Sequence, residues 1–389
     1  SARLVVSESD DLSSPVFSGS AAPDADGVVK LGISGLDPDA QYYFGIEADS
    51  VVLSDGRGEF VTDPTPGTQT SFSIAFGSCQ QTNSNAETFQ VVAEREGPYG
   101  KARRFIHEGD LHYRDFGAGT TAADVVSQYK STLAPARRRQ LFATIPRTYG
   151  WDNHDWGGTD SNAAAPAGPV VAAAYRQFVP HYSLATGGST AIYQSFVIGR
   201  VRFVILDTRS ERSDRTLAES STKRMLSVDQ VNWFKSELLQ PEPLKIVCSG
   251  IYWRRDSASG DRWGSYSTQW AEIRDWVATQ PTIQALVISG DRHAIYADDG
   301  TTTNTYWPNV GAGAFDQGST QAFEVWSHGY YDQAPNNLRC YGWLDITDSG
   351  SGITVAFSGI TSLDDTVRVS MTANYTASAA LPARWGIHI

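Results

Sequence analysis

The sequence predicts an α/β protein in which two packed β-sheets are flanked by helices, preceded by a small all-β unit. The prediction rests on a change of pattern along the chain. Residues 1–66 fall into short alternating segments divided by Asp, Gly, Pro and Ser clusters. Beyond them, apolar strand-like runs alternate with helical spacings, and strands dominate the end. The change occurs at Asp63-Pro64-Thr65-Pro66-Gly67, a stretch that cannot continue a ladder and reads as a linker. Two domains are therefore expected, 1–66 and 67–389.

In the first unit, residues 3–7, 28–33, 42–47 and 58–62 are the strand candidates. They are fewer than the ~7 strands of a complete sandwich, so an incomplete sandwich-like unit is expected. In the second, residues 72–76 are apolar, 86–96 have helical spacing, and Phe105-Ile106-His107 leads into Gly109-Asp110. Helical stretches also cover 124–133 and 170–179, and residues 196–198 and 201–206 read as a hairpin turning at Gly199-Arg200. Ser227 followed three residues later by Gln230 signals a capped helix running to Leu239. Apolar segments at 244–248, 271–277 and 285–288 follow, then strands at 323–326, 341–346, 353–357 and 367–371.

With 389 residues, 41% of them hydrophobic and 11% aromatic, the chain can bury a large core. A formal net charge of -12 argues against a partner held along a polyanionic backbone, so no stable nucleic-acid partner is expected. No apolar run reaches the ~18 residues of a transmembrane helix. The chain opens Ser1-Ala2-Arg3-Leu4, without an initiator methionine or a basic segment leading into an apolar stretch. Either a leader peptide was removed or the sequence was trimmed. Cysteine usage constrains little: if Cys79 is a metal ligand, only Cys248 and Cys340 are left to pair, and the apolar run around Cys248 favours a buried free thiol.

Six short clusters carry the chemistry: Gly77-Ser78-Cys79, Gly109-Asp110-Leu111-His112-Tyr113, Trp151-Asp152-Asn153-His154-Asp155, Leu206-Asp207-Thr208-Arg209, Gln230-Val231-Asn232-Trp233 and Ser289-Gly290-Asp291-Arg292-His293. Thiolate, carboxylate, phenolate, amide carbonyl and imidazole are the groups that hold a pair of cations, and Cys79, Asp110 and Asp291 each follow an apolar run by a few residues. Taken singly, each cluster has a plainer reading. Gly-Asp-x-x-Tyr can be a turn with a buried Tyr, and Trp151 to Asp155 a turn with Asp152 capping a helix. Arg209 can bind a phosphate oxygen, or neutralise Asp207 or another carboxylate. Gln230 and Trp233 read as packing residues. The ordered set points to a two-metal site for phosphate-ester hydrolysis.

These clusters, in this order and at these separations, resemble the PhoD-like alkaline phosphatases, a branch of the calcineurin-like metallophosphoesterases. The resemblance covers residues 70–360 or so. It extends to Ala174-Tyr175-Arg176-Gln177-Phe178 with Pro180-His181-Tyr182. In the first unit, Gly35-Leu36-Asp37-Pro38 and Tyr42-Tyr43-Phe44 resemble the fibronectin-like β-domain that precedes the catalytic domain in that family. The resemblance implies a four-layer metallophosphoesterase sandwich with a dinuclear centre. By position, Cys79, Asp110, Tyr113 and His293 would hold Fe3+. Asp110 would bridge to a second metal, typically Ca2+, completed by Asn153, Asp291 and a neighbouring carboxylate such as Asp152 or Asp160. His154 would contact the phosphate or leaving group, with Asp152 and Arg209 beside it. One departure stands out: the family usually shows Asp-Asp-His where this chain has Asp152-Asn153-His154. The missing charge should weaken Ca2+ relative to Zn2+ or Mn2+ at the second position.

The implied activity is hydrolysis of small phosphate mono- or diesters, with a hydroxide generated on the metal pair attacking phosphorus. His154 would serve as general acid, oriented by Asp152 or Asp155. A phospholipase D-like phosphodiesterase is the alternative within enzymes, and a non-catalytic secreted metal-containing binding protein the alternative outside them. Tryptophans such as Trp253, Trp263, Trp270 and Trp307 could line an apolar pocket, though packing is the commoner use. The resemblance further implies a secreted or periplasmic location and a monomer.

Overall fold

The computed structural model describes residues 1–186, 190–254, 260–302, 306–318, 325–332 and 339–377. Its first element is a four-stranded antiparallel sheet in the order Val16–Phe17, Ala2–Ser7, Gln41–Ala48, Val51–Val61. Asp49 and Ser50, at φ 49° and 67°, make the tight reversal between the last two strands. Residues 28–33, expected as a strand, form no ladder. Lys30 explains this: its ammonium donates to the carbonyls of Arg176 and Val179, holding the segment against the helix Gly168–Phe178 instead.

Two larger sheets follow, as the alternating pattern predicted. Among the described residues one has six strands, in the order Thr366–Thr376, Gly352–Thr361, Cys340–Asp348, Phe72–Gly77, Arg104–His107, Arg147–Tyr149. The other has seven, in the order Gln194–Ile198, Val201–Ile205, Leu244–Ser249, Ala285–Ser289, Asn309–Ala312, Ala294–Asp298, Gly329–Asp332. Side chains alternate between faces with the strand period of two. Phe76, Ile106, Ile246, Ile288 and Leu344 point into a core shared by both sheets, each burial contributing roughly 1.5–3 kcal/mol. Cys248 and Cys340 are buried free thiols within that core.

The outer faces are covered by helices. Phe234 of Val228–Leu238 and Trp270 of Ser267–Ala278 pack on Val204, Val247 and Val287. Trp253, Trp263 and Trp307 belong to the same cluster, so these tryptophans are core, not the lining of a substrate pocket. On the other side, Phe89 of Glu87–Glu94 and Leu141 of Ala136–Thr144 pack on Ala75, Phe105 and Trp343. Of the expected strand 323–326, the first two residues lie outside the described ones, and Val325 and Trp326 are not in a strand. No helix among the described residues is long and apolar enough to cross a membrane.

Candidate metal centre

Three neighbouring strands at one side of the six-stranded sheet and a parallel run within the seven-stranded one share a direction, and the loops at their carboxyl ends hold the candidate residues. Cys79 follows Phe72–Gly77, Asp110 and Tyr113 follow Arg104–His107, and Asp152, Asn153 and His154 follow Arg147–Tyr149. From the seven-stranded sheet, Arg209 follows Val201–Ile205, while Asp291 and His293 follow Ala285–Ser289. The cluster thus sits on the seam between the sheets.

Four of these residues have left-handed backbone: Cys79 (φ 60°), Asp110 (φ 55°), Asp291 (φ 62°) and His293 (φ 51°). Each such conformation costs ~1–3 kcal/mol outside glycine, so four in one place mark turns held by their surroundings. Glycine supplies the floor beneath them. A Cβ on Gly109, itself at φ +102°, would lie 2.3 Å from Asp152 Cβ, and one on Gly250 would lie 2.9 Å from Asp152 Oδ1. Asp152 is therefore seated against bare backbone on two sides.

Cys79 Sγ lies 3.6 Å from Asp110 Oδ2, and the Tyr113 hydroxyl is 2.9 Å from His293 Nε2. Donor atoms of Cys79, Asp110 and His293 fall within 4.8 Å of one another. The end of the Asn153 side chain is 3.3 Å from both Asp110 Oδ1 and Asp152 Oδ2. With its amide nitrogen turned inward it donates to both carboxylates. With its oxygen turned inward, three oxygens converge, which suits a hard cation. Asp160 is paired with Arg215 at 2.5 Å, so the carboxylate bordering Asn153 is Asp152.

Arg209 is fully buried and does not neutralise Asp207 with its guanidinium. Its Nε donates to Asp152 Oδ1 at 2.5 Å and its Nη1 to Asp261 Oδ2 at 2.6 Å, while Nη2 is buried without a hydrogen-bond partner. Asp207 instead braces the turn. It accepts from the Trp151 indole at 2.9 Å, from the backbone N–H groups of Ile192, Arg209 and Ser210, and from the Ser210 hydroxyl. Gln230 grips the backbone N–H and carbonyl of Asp207 with its amide, which is more than packing.

His154 is oriented by neither Asp152 nor Asp155. Asp115 Oδ1 lies 2.5 Å from His154 Nδ1, and the imidazole packs against the Tyr113 ring, centroids 4.2 Å apart and planes tilted by 37°. Asp155, fully buried, accepts backbone N–H groups of both neighbouring loops. Sequence reasoning missed Asp115 and Asp261. Asp115 lies within the same loop as Asp110 and Tyr113, the one signal that could have drawn attention to it. Nothing in the sequence ties Asp261 to Arg209.

The electrostatics are those of crowded donors. Burial, then repulsion from Asp152, Asp155 and Asp291, raises the Asp110 carboxyl well above its ordinary range. Burial, reinforced by Asp152 and Asp261, pushes Asp291 up to about 8. Burial and the adjacent Asp110 raise the Cys79 thiol, and burial with Cys79 and Asp110 pushes the Tyr113 phenol far up. Burial lowers His293 to about 4, leaving a neutral imidazole whose Nδ1 is buried without a hydrogen-bond partner. Ionising this set without added positive charge is unfavourable, and its ionised carboxylate, thiolate and neutral imidazole forms are those that bind cations. The donor set fits metal ions.

Residues 74–329 match the family described as PhoD-like phosphatase. Alkaline phosphatase D of Bacillus subtilis (strain 168) is 22% identical over 342 residues, which cover 76% of this chain and 57% of that protein. The chain thus spans little more than half the length of that relative. A solved structure described as that of PhoD aligns with a TM-score of 0.76 at 17% identity, covering 96% of this chain and 83% of the other. A purple acid phosphatase from yellow lupin (Lupinus luteus) seeds aligns with a TM-score of 0.63 at 13% identity, covering 95% and 69%. These likenesses show a metallophosphoesterase-like α/β sandwich. With more than half of its length matched, the chain belongs to the PhoD-like phosphatase family.

Proposed function

We propose that the chain is a metal-dependent phosphoric ester hydrolase. The placement of Asp110 supports this most strongly: Oδ2 faces Cys79, while Oδ1 faces the Asn153 side chain and accepts the His154 backbone N–H at 3.1 Å. One carboxylate thereby serves two groups of donors. In this reading Cys79, Tyr113 and His293 belong to one cation, Asn153, Asp152 and Asp291 to the other, and Asp110 is shared.

A bound metal pair would supply Lewis acidity toward phosphate oxygens and lower the pKa of water. The protein's own residues do the rest. Asp115 fixes the His154 ring through Nδ1, which leaves Nε2 to hold a proton for the departing oxygen. Arg209 keeps Asp152 in place from below; two of its nitrogens are taken by carboxylates, so it acts on Asp152 rather than on substrate.

The test is turnover of p-nitrophenyl phosphate and bis-p-nitrophenyl phosphate by the purified protein, paired with elemental analysis. Hydrolysis of either, lost on chelation and restored by metal, is the expected result. Bound metal with no turnover of either ester would overturn the reading, and the ratio of the two rates separates a monoesterase from a diesterase.

A further inference from the structure

Asp155 is placed differently from Asp110 and Asp152, because both of its oxygens are turned to backbone. Oδ2 accepts the N–H of Asp110 at 2.6 Å and of Asp152 at 3.0 Å, and Oδ1 accepts the N–H of Leu111 at 2.8 Å. A residue in the third position of the short helix Asn153–Trp156 can cap its own first turn, which accounts for the bond to Asp152. It does not account for Asp110 and Leu111, which lie 45 and 44 residues away on another strand's loop. The tie is returned, since Asp110 Oδ1 accepts the N–H of His154. Each loop supplies the carboxylate that holds the other's backbone.

We infer that Asp155 is a positioning residue that preforms the donor cluster before any cation binds. Asp110 is held in left-handed backbone, which is unfavourable for a side chain-bearing residue, and a loop left alone would relax from it. Three backbone donors converging on one buried carboxylate oppose that relaxation. The same contacts set the separation of Asp110 from Asp152 and Asn153, so Asp155 governs the spacing of donors it does not join.

The part of this inference that concerns metal affinity rests on the proposed hydrolase reading; the preformed tie does not. Amide hydrogen exchange on the full, metal-stripped chain tests the tie directly. The amides of Asp110, Leu111 and Asp152 should exchange as slowly as those of the strand Arg104–His107, and fast exchange there in the folded protein would overturn it. Asp155→Asn sets an amide donor against a backbone donor. It should release that protection and raise the Zn2+ concentration for half-saturation, measured calorimetrically, by ~10–100-fold. Turnover at saturating metal should recover to within a few-fold of wild type. A lowered melting temperature with unchanged protection and unchanged Zn2+ binding would leave Asp155 with a purely structural role and overturn the inference. Should the variant not fold, the exchange pattern of the wild type still decides. Should the wild type bind no Zn2+, the hydrolase reading fails while the exchange result stands.

Discussion

His154 Nδ1 and Asp115 Oδ1 are 2.5 Å apart, so the imidazole has one nitrogen tied to the protein and the other free for chemistry. His154→Ala should slow turnover by ~10²–10⁴-fold, the range of a lost general acid. Asp115 is half exposed, and Asp115→Asn should fold normally and lose on the order of 10-fold through a less well fixed ring. Both losses should shrink for p-nitrophenyl phosphate, whose leaving group needs no proton, relative to an alkyl phosphate. Equal losses on the two substrates would remove His154 from proton transfer.

A second expectation concerns the protein without metal. Burial, reinforced by Asp152 and Asp261, pushes Asp291 up to about 8, so the fold prefers its protonated form. Its contribution to stability is full below the ordinary carboxylate pKa of about 4 and is lost as pH rises through about 8. The thermal midpoint of the metal-stripped chain should therefore fall between about pH 5 and about pH 8.5. Asp110→Asn, with one charge fewer in the cluster, should fall less steeply. Midpoints that stay level for both proteins would show that these carboxylates are not crowded in solution.

The fully buried Arg209 bridges Asp152 and Asp261, and despite burial the charges of Arg209 and Arg212 hold Asp261 down to about 2. Removing the guanidinium leaves the buried Asp152 uncompensated, while Asp261 keeps its pair with Arg212. Arg209→Ala should cost ~3–5 kcal/mol in urea unfolding of the metal-free protein. Arg209→Lys restores the charge but not the planar fork and should recover less than half of that. A loss below ~1 kcal/mol for the alanine variant would mean that the pair behaves as a solvent-exposed one.

Tyr113 and Cys79 would both lie on the cation assigned as Fe3+ by resemblance. A phenolate or thiolate on ferric iron gives a visible charge-transfer band, so iron-containing protein should be coloured as purified. Tyr113→Phe should shift or bleach the band while leaving iron near one per chain. A band unchanged both in that variant and in Cys79→Ser would remove both residues from the iron.

The donors were legible in the sequence because their chemical types are distinctive and the apolar runs before Cys79, Asp110 and Asp291 place them at strand ends. What holds the donors was not, because it depends on contacts between loops remote in sequence. Gln230 shows the difference. Its spacing from Ser227 reads as a capping box, and Ser227 does accept the Gln230 N–H at 3.1 Å. The Gln230 side chain, however, reaches across 23 residues to the backbone of Asp207. The helix Ala136–Thr144 escaped notice for a related reason, since Arg137-Arg138-Arg139-Gln140 looks like a solvated run. Arg138 is in fact fully buried, donating to the carbonyls of Thr132 and Gln81 and lying over the Phe89 ring. Conversely, residues 28–33 have strand-like alternation but no strand to pair with, and tertiary contacts decided their path.

The candidate donors come from both sheets, so in the proposed reading the spacing of two cations would gauge how one sheet sits upon the other. Phe76 and Ile288, on the strands that lead to Cys79 and Asp291, both belong to the core shared by the two sheets. Densely packed interiors transmit strain, and a shortened side chain at either position would be felt as a shift between the sheets. On the proposed function, turnover would report on core packing as well as on active-site chemistry, and bound metal would work as a rivet across the two halves of the sandwich. Its removal should loosen the molecule first along that seam.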